Sequence, residues 1–181
     1  MTTASKVTVA RILLIPVFLV VALLNFPYSD LIALGIFILA SVTDWVDGYI
    51  ARKYDQITDF GKFMDPLADK LLVTSAMLVF VQFGRMPAWA LMVILTREFA
   101  VSGLRMVAAA KGDVIAAAKS GKLKTLITIV GICFMLGSSD SGAILPHVAL
   151  VDTIIVAIIL IVTVYSGIEY FVKNGKVLED K

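Results

Sequence analysis

The sequence contains little charge, little cysteine and little histidine. Only 17% of its 181 residues are charged, whereas soluble domains contain about 25%. The single cysteine, Cys133, excludes an intramolecular disulfide, and the single histidine, His147, argues against a metal site built from cysteine and histidine. With 12 glycines, 5 prolines and 60% hydrophobic residues, the chain is neither collagen-like nor disordered. The composition therefore indicates an integral membrane protein.

Six apolar segments follow one another along the chain, separated by turns rich in glycine, proline and asparagine. They cover residues 7–24, 31–50, 62–83, 88–110, 123–136 and 148–172, and the fifth has an alternative start at Ala116. A bilayer span needs about 20 residues, and no internal repeat or linker divides the chain. The sequence therefore predicts an all-α polytopic membrane protein with six transmembrane helices in one domain, residues 1–181.

The basic residues are distributed unevenly between the predicted loops. When the loops are assigned alternately to two sides, 14 of the 16 basic residues fall on the side of the N-terminus. Arg85 falls on the other side, and Arg97 falls within a helix. The positive-inside rule then places both termini in the cytoplasm, and we expect a multi-pass protein of the plasma membrane.

Arg97 and Glu98 lie in the middle of the fourth apolar segment. A lone arginine at that depth costs about 2.5–3.5 kcal/mol on insertion scales. Adjacent residues of a helix do not face each other, so we do not expect a simple pair. We expect each residue to find a partner on another helix, with a structural rather than a catalytic role.

Four aspartates lie in or beside apolar helix. Asp44 and Asp47 share one helical face, and so do Asp65 and Asp69. The short connection between these two helices predicts an antiparallel hairpin, with all four carboxylates at its cytoplasmic end. Divalent metal would remove their mutual repulsion, and oxygen ligands favour Mg²⁺ or Mn²⁺. Four carboxylates could hold two ions, as in sites of phosphoryl transfer.

The spacing alone leaves two other interpretations of these acids open. They could be solvated or paired with nearby basic residues, namely Arg52, Lys53, Lys62 and Lys70. They could also line a water-filled transport path. A transport path predicts acids spread through the membrane, whereas these cluster at one end, which argues against a transporter.

The eight fixed positions of one spaced pattern are all present. The pattern is Asp44-x2-Asp47-Gly48-x2-Ala51-Arg52-x8-Gly61-x3-Asp65-x3-Asp69, and it resembles the signature of the CDP-alcohol phosphotransferase family. Segments 60–70, 96–99, 102–105 and 120–125 are similar to the bacterial branch of this family that makes phosphatidylglycerophosphate. The sixth apolar segment carries little diagnostic information.

The resemblance implies an enzyme whose active site lies at the cytoplasmic end of the second and third helices. The donor is CDP-diacylglycerol, the acceptor sn-glycerol 3-phosphate, and the products phosphatidylglycerol phosphate and CMP, by metal-dependent direct displacement. Asp69 is the implied general base. The implied ligands of two Mg²⁺ or Mn²⁺ ions are Asp44, Asp47, Asp65 and Asp69. The implied contacts of the CDP group are Asp44, Asp47, Gly48, Ala51, Arg52, Gly61 and Asp65.

The same resemblance implies a homodimer and no nucleic-acid partner. Inositol phosphate or serine is the alternative acceptor within the family. A phosphate-bearing acceptor requires a second basic cluster, for which the candidates are Arg11, Arg105, Lys122 and Lys124. The alternative is that these residues only anchor the protein at anionic lipid. For Arg105 we favour the role of binding the acceptor phosphate, because its neighbours in the sequence are apolar.

Overall fold

The computed structural model describes residues 3–24, 26–53, 59–113, 115, 118–138 and 146–175. Within these ranges, the side chains of residues 3–8, 44–53, 59–63, 65–66 and 146–147 lie outside the described part. The described residues form six helices and no strand, which confirms the all-α prediction for them. The helices are α1 (Thr3–Leu23), α2 (Ser29–Lys53), α3 (Asp59–Gln82), α4 (Ala88–Ala110), α5 (Lys119–Gly137) and α6 (Pro146–Asn174).

The helix ends lie close to the predicted turns. Gly84 after α3 and Gly112 after α4 have φ values of +70° and +85°, which glycine adopts without the steric penalty of a Cβ atom. Helix α4 has the predicted range of 88–110. Helix α1 begins at Thr3 instead of residue 7, and α5 begins at Lys119, between its two predicted starts.

The helices pack in two groups joined through a common core. Helix α1 packs against α2 and α3, α6 packs against α4 and α5, and α2 also contacts α5. All six helices contribute to the main apolar core. In it, the rings of Phe18 and Phe37 lie 6.1 Å apart with a tilt of 52°. Gly131 allows close approach of α5 and α6, because a Cβ atom there would lie 2.9 Å from Cγ2 of Ile155.

Large apolar side chains also cover the outer surface of the bundle, and every helix contributes some. Examples that are at least half exposed are Leu13, Leu31, Leu78, Trp89, Phe134 and Ile161. Soluble monomers rarely expose apolar surface on this scale, so the surface fits contact with lipid.

Within the described residues, two helices are long and apolar enough to cross a membrane by themselves. These are α5 (Lys119–Gly137) and the Val148–Asn174 part of α6. Shorter apolar stretches occupy Val9–Leu23 in α1 and Ser29–Thr43 in α2. The described part of the chain therefore forms six helices with two clear candidate spans, and the six-span topology stays a prediction.

Candidate active site

The acidic signature falls at the end of α2 and in the first half of α3, and these two helices contact each other. Asp69 is the one signature residue whose side chain is described. The side chains of the other seven positions lie outside the described part, namely Asp44, Asp47, Gly48, Ala51, Arg52, Gly61 and Asp65. Among the described side chains, no group of three carboxylates, imidazoles or thiols lies together. The metal site and the CDP site therefore stay predictions.

Asp69 is half-buried and lines a cavity of about 310 Å³ formed by α3, α4, α5 and α6. The charged residues that line it are Asp69, Lys70, Arg97, Glu98, Arg105 and Lys122. Among the described side chains of this wall, four cations thus surround two carboxylates, and this local excess of positive charge attracts anions. A cavity of this kind suits a small dianion such as an alcohol phosphate.

Two of the four predicted phosphate-binding residues, Arg105 and Lys122, line this cavity together with Asp69. Arg105 is exposed and donates from Nη2 to the carbonyl of Ile115 at 3.3 Å. That bond leaves most of the five guanidinium N–H donors for a ligand. Lys122 is exposed, and its ammonium group makes no hydrogen bond with the residues that the structure describes.

The other two candidates lie elsewhere. Lys124 is 5% exposed and lines a smaller cavity of about 60 Å³, which Asp69 also lines. Arg11 is buried in α1 and is not among the residues that line either cavity.

Glu98 connects α4 to α5 and, through Arg97, to α6. Nζ of Lys124 lies 2.6 Å from Oε1 of Glu98. Arg97 donates from Nη1 to the same oxygen at 2.9 Å and from Nη2 to Oγ of Ser166 at 2.9 Å. The predicted interhelical partners of both residues are confirmed. The expectation that Arg97 and Glu98 would not pair with each other was wrong, because the long arginine side chain reaches around the helix to its neighbour.

Comparison with known proteins identifies the family. The family model described as CDP-alcohol phosphatidyltransferase matches residues 1–168, nearly the whole chain. The chain belongs to the CDP-alcohol phosphatidyltransferase family.

Three curated relatives in this family are named "CDP-diacylglycerol–glycerol-3-phosphate 3-phosphatidyltransferase". The protein of Bacillus subtilis is 44% identical over 187 residues, which cover 97% of this chain and 96% of the relative. The protein of Rickettsia typhi is 38% identical over 165 residues, with 91% and 92% covered. The protein of Haemophilus influenzae is 34% identical over 181 residues, with 96% and 94% covered. These matches confirm the family resemblance that the signature indicated.

Several polar residues of the cavity in this CDP-alcohol phosphatidyltransferase family member were not predicted as site residues, among them Lys70, Ser102 and Tyr170. Lys70 donates a hydrogen bond to Oγ of Ser102, which joins α3 to α4 at the cavity wall. The position of Lys70 beside Asp69 was a usable signal, but the sequence suggested only a charge on the cytoplasmic side or an ion-pair partner of the aspartates. Tyr170 lies near the end of α6, the helix that carried little diagnostic information. It lies just beyond the region that the family model matches.

A second ion pair connects the turn between α3 and α4 to α6. Arg85 donates from Nε and Nη2 to the two carboxylate oxygens of Asp152, at 2.7 and 2.9 Å. The two side chains are 6% and 2% exposed. The Arg85 guanidinium also lies 5.4 Å from the ring centroid of Phe80 and 3.3 Å from Oγ of Ser138. Arg85, which the sequence showed only as a lone basic residue, is therefore a structural cation.

Proposed function

We propose that this protein transfers the phosphatidyl group of CDP-diacylglycerol to sn-glycerol 3-phosphate, producing phosphatidylglycerol phosphate and CMP. The observation that carries the proposal is the cavity in which Asp69 meets an excess of cations. The names of relatives up to 44% identical supply the donor and the acceptor. The protein then acts in phospholipid biosynthesis.

The cavity provides the two groups that the acceptor needs. Arg105 and Lys122 hold the acceptor phosphate, and Asp69 faces the acceptor hydroxyl as its general base. The hydroxyl oxygen attacks the phosphorus on the lipid side of the diphosphate while its proton passes to the Asp69 carboxylate. One phosphorus–oxygen bond forms, and the bond from that phosphorus to the bridging oxygen breaks. CMP leaves with the bridging oxygen, so no covalent enzyme intermediate is required.

The donor set fits a divalent metal. Asp44, Asp47, Asp65 and Asp69 offer only carboxylate oxygens, which Mg²⁺ and Mn²⁺ prefer, and they are sufficient for two ions. Asp69 is only half-buried, so its oxygens are accessible from the cavity. When bound, the metal supplies positive charge to the diphosphate and to the departing CMP. The CDP group lies among the same aspartates and Gly48, Ala51, Arg52 and Gly61.

The proposed location is the plasma membrane, with six spans and with both termini and the cavity on the cytoplasmic side. The exposed apolar side chains on all six helices support this placement, as does the distribution of the basic residues. The lipid donor then enters from the bilayer and glycerol 3-phosphate enters from the cytoplasm. A homodimer is proposed by family analogy alone.

The charge of the cavity also bears on the choice of acceptor. Serine is neutral overall and brings no phosphate to the cations, so the excess positive charge favours an alcohol phosphate. Inositol phosphate satisfies the same electrostatic condition. The names of the relatives favour glycerol 3-phosphate over inositol phosphate.

One assay tests the proposed reaction. Purified protein is incubated with CDP-diacylglycerol, Mg²⁺ or Mn²⁺, and labelled glycerol 3-phosphate, with serine and inositol phosphate in parallel reactions. We expect CMP release and label in the extracted lipid with glycerol 3-phosphate. Absence of CMP with every acceptor would contradict the proposed enzyme activity. Release of CMP only with serine or only with inositol phosphate would contradict glycerol 3-phosphate as the acceptor.

The acceptor site is tested by Arg105→Ala. We expect the KM for glycerol 3-phosphate to rise about tenfold or more, the effect of losing a hydrogen bond to a charged group, with little change in the KM for CDP-diacylglycerol. The matched control is Lys119→Ala, which removes an exposed cation of α5 that is not among the residues lining the cavity. A raised KM for CDP-diacylglycerol with an unchanged KM for glycerol 3-phosphate would show that Arg105 does not belong to the acceptor site.

A further inference from the structure

Tyr170 carries a buried hydroxyl group without a hydrogen-bond partner among the residues that the structure describes. The residue is 3% exposed, and it packs against Val101 and Leu104 of α4. Buried hydroxyl groups almost always have a partner, because leaving one unpaired loses its hydration without compensation. The fold therefore holds a fixed hydrogen-bonding group that its described neighbours do not use.

The same residue lines the cavity that contains Asp69. Of the charged groups there, the four cations offer only hydrogen-bond donors, so they cannot accept a bond from the tyrosine. The two carboxylates there, Asp69 and Glu98, do not accept from it either, since the hydroxyl has no partner among the described residues. A ligand with anionic oxygens would supply the missing acceptor, and the excess of cations attracts that kind of ligand.

We propose that the Tyr170 hydroxyl donates a hydrogen bond to the phosphate of the acceptor alcohol, beside Arg105 and Lys122. The inference rests on the proposed function, because it takes an alcohol phosphate as the ligand of this cavity. The acceptor is favoured over the donor nucleotide, because the CDP signature lies on α2 and α3 whereas Tyr170 lies on α6. The packing of the ring holds the hydroxyl in place before the ligand arrives, which reduces the entropy lost on binding.

The test is Tyr170→Phe, which removes only the hydroxyl group. We expect the KM for glycerol 3-phosphate to rise about tenfold, which corresponds to about 1.4 kcal/mol, while kcat and the KM for CDP-diacylglycerol change less than about twofold. The thermal midpoint of the purified protein without substrate should not fall, because no hydrogen bond within the described part is lost. The stabilisation of the protein by glycerol 3-phosphate should become smaller.

The matched control is Tyr165→Phe, the same change on the same helix at a residue that is 63% exposed. It should leave both KM values and the stabilisation by glycerol 3-phosphate unchanged. An equal effect of the two variants would overturn the inference, because Tyr165 is not among the residues that line the cavity.

Two further outcomes overturn the inference while the proposed function stands. The first is an unchanged KM for glycerol 3-phosphate in a Tyr170→Phe enzyme that is active, which would mean that ordered water satisfies the hydroxyl. The second is a raised KM for CDP-diacylglycerol alone, which would assign Tyr170 to the donor. Failure of the proposed function would give a different result. In that case the unsubstituted protein itself would release no CMP with any acceptor.

Discussion

At the residue scale, the surroundings of Asp69 decide what its carboxylate can do. It is half-buried at a cavity wall where cations outnumber carboxylates among the described side chains. Its neighbour Lys70 donates a hydrogen bond to Ser102, and this bond holds the ammonium group at the same wall. The cavity can therefore hold an anion close to a group that accepts a proton, the combination that a phosphate-bearing alcohol requires.

Replacing Asp69 by asparagine should lower CMP release by at least about 100-fold, because the amide has a similar shape but cannot act as a general base. The rate is measured with saturating CDP-diacylglycerol and glycerol 3-phosphate. A thermal midpoint close to that of the unsubstituted protein serves as the control for folding. A near-normal rate would show that another group takes the proton.

The ion pair between Arg85 and Asp152 predicts a large effect on stability. Asp152→Ala leaves a buried guanidinium without its carboxylate, which should lower the free energy of unfolding by about 3–5 kcal/mol. The double variant Arg85→Met/Asp152→Leu should recover much of that loss, because it leaves neither charge unpaired. Unfolding in detergent, followed by helix content, measures both. If the changes in unfolding free energy caused by Arg85→Met alone and Asp152→Leu alone add up to that of the double variant, the two side chains are not coupled.

At the scale of elements, side chains of α4 join it to two of the other helices that line the cavity. Its Glu98 holds Lys124 of α5, and its Arg97 holds Ser166 of α6. Within an apolar helix these charges are costly unless they are paired, so the network offsets much of that cost. It also fixes α5 and α6 relative to α4, and those two helices carry Lys122 and Tyr170 to the cavity.

Gly167 of α6 makes the approach of Arg97 possible. A Cβ atom at this position would lie 2.9 Å from Cγ of Arg97, so Gly167→Ala should displace the arginine and lower stability by about 1–3 kcal/mol. The thermal midpoint in detergent measures the effect.

Gly103→Ala is the matched control, because a Cβ atom on this α4 glycine meets no atom of the described residues within 4 Å. It should be neutral or slightly stabilising, since alanine favours helix more than glycine does. Equal behaviour of the two variants would show that α4 and α6 adjust to the added methyl group.

At the scale of the whole molecule, the cavity lies where the two groups of helices meet. Helix α3 of the first group supplies Asp69 and Lys70, and α4, α5 and α6 of the second supply the remaining lining. The described cavity therefore forms only when helices of both groups are assembled. The apolar outer surface surrounds this polar site, as expected for an enzyme that takes one substrate from the membrane and one from water.

The predicted topology can be tested because the chain has a single cysteine. In a Cys133→Ala background, Ala88→Cys and Asp113→Cys each place one thiol at an exposed position at opposite ends of α4. A thiol reagent that does not cross membranes should label Ala88→Cys in intact cells. It should label Asp113→Cys only after the membrane is permeabilised. Labelling of both, or the reverse pattern, would contradict six spans with cytoplasmic termini.

The sequence by itself determined the six helices and the family. Apolar runs and turn residues act over a few neighbouring positions, so the range of α4 could be predicted at both ends, and the signature is a pattern of local spacing. The sequence predicted only part of the cavity around Asp69, because Arg105 and Lys122 were the candidate phosphate-binding residues that line it.

Only the tertiary structure decided which distant side chains meet. Glu98 and Lys124 are 26 positions apart, and Arg85 and Asp152 are 67 apart. No local spacing reports such contacts, since they depend on how whole helices pack. The same holds for Tyr170, an ordinary residue near the end of an apolar helix in the sequence. The packing of α6 against α4 buries its hydroxyl group and brings the residue to the wall of the Asp69 cavity.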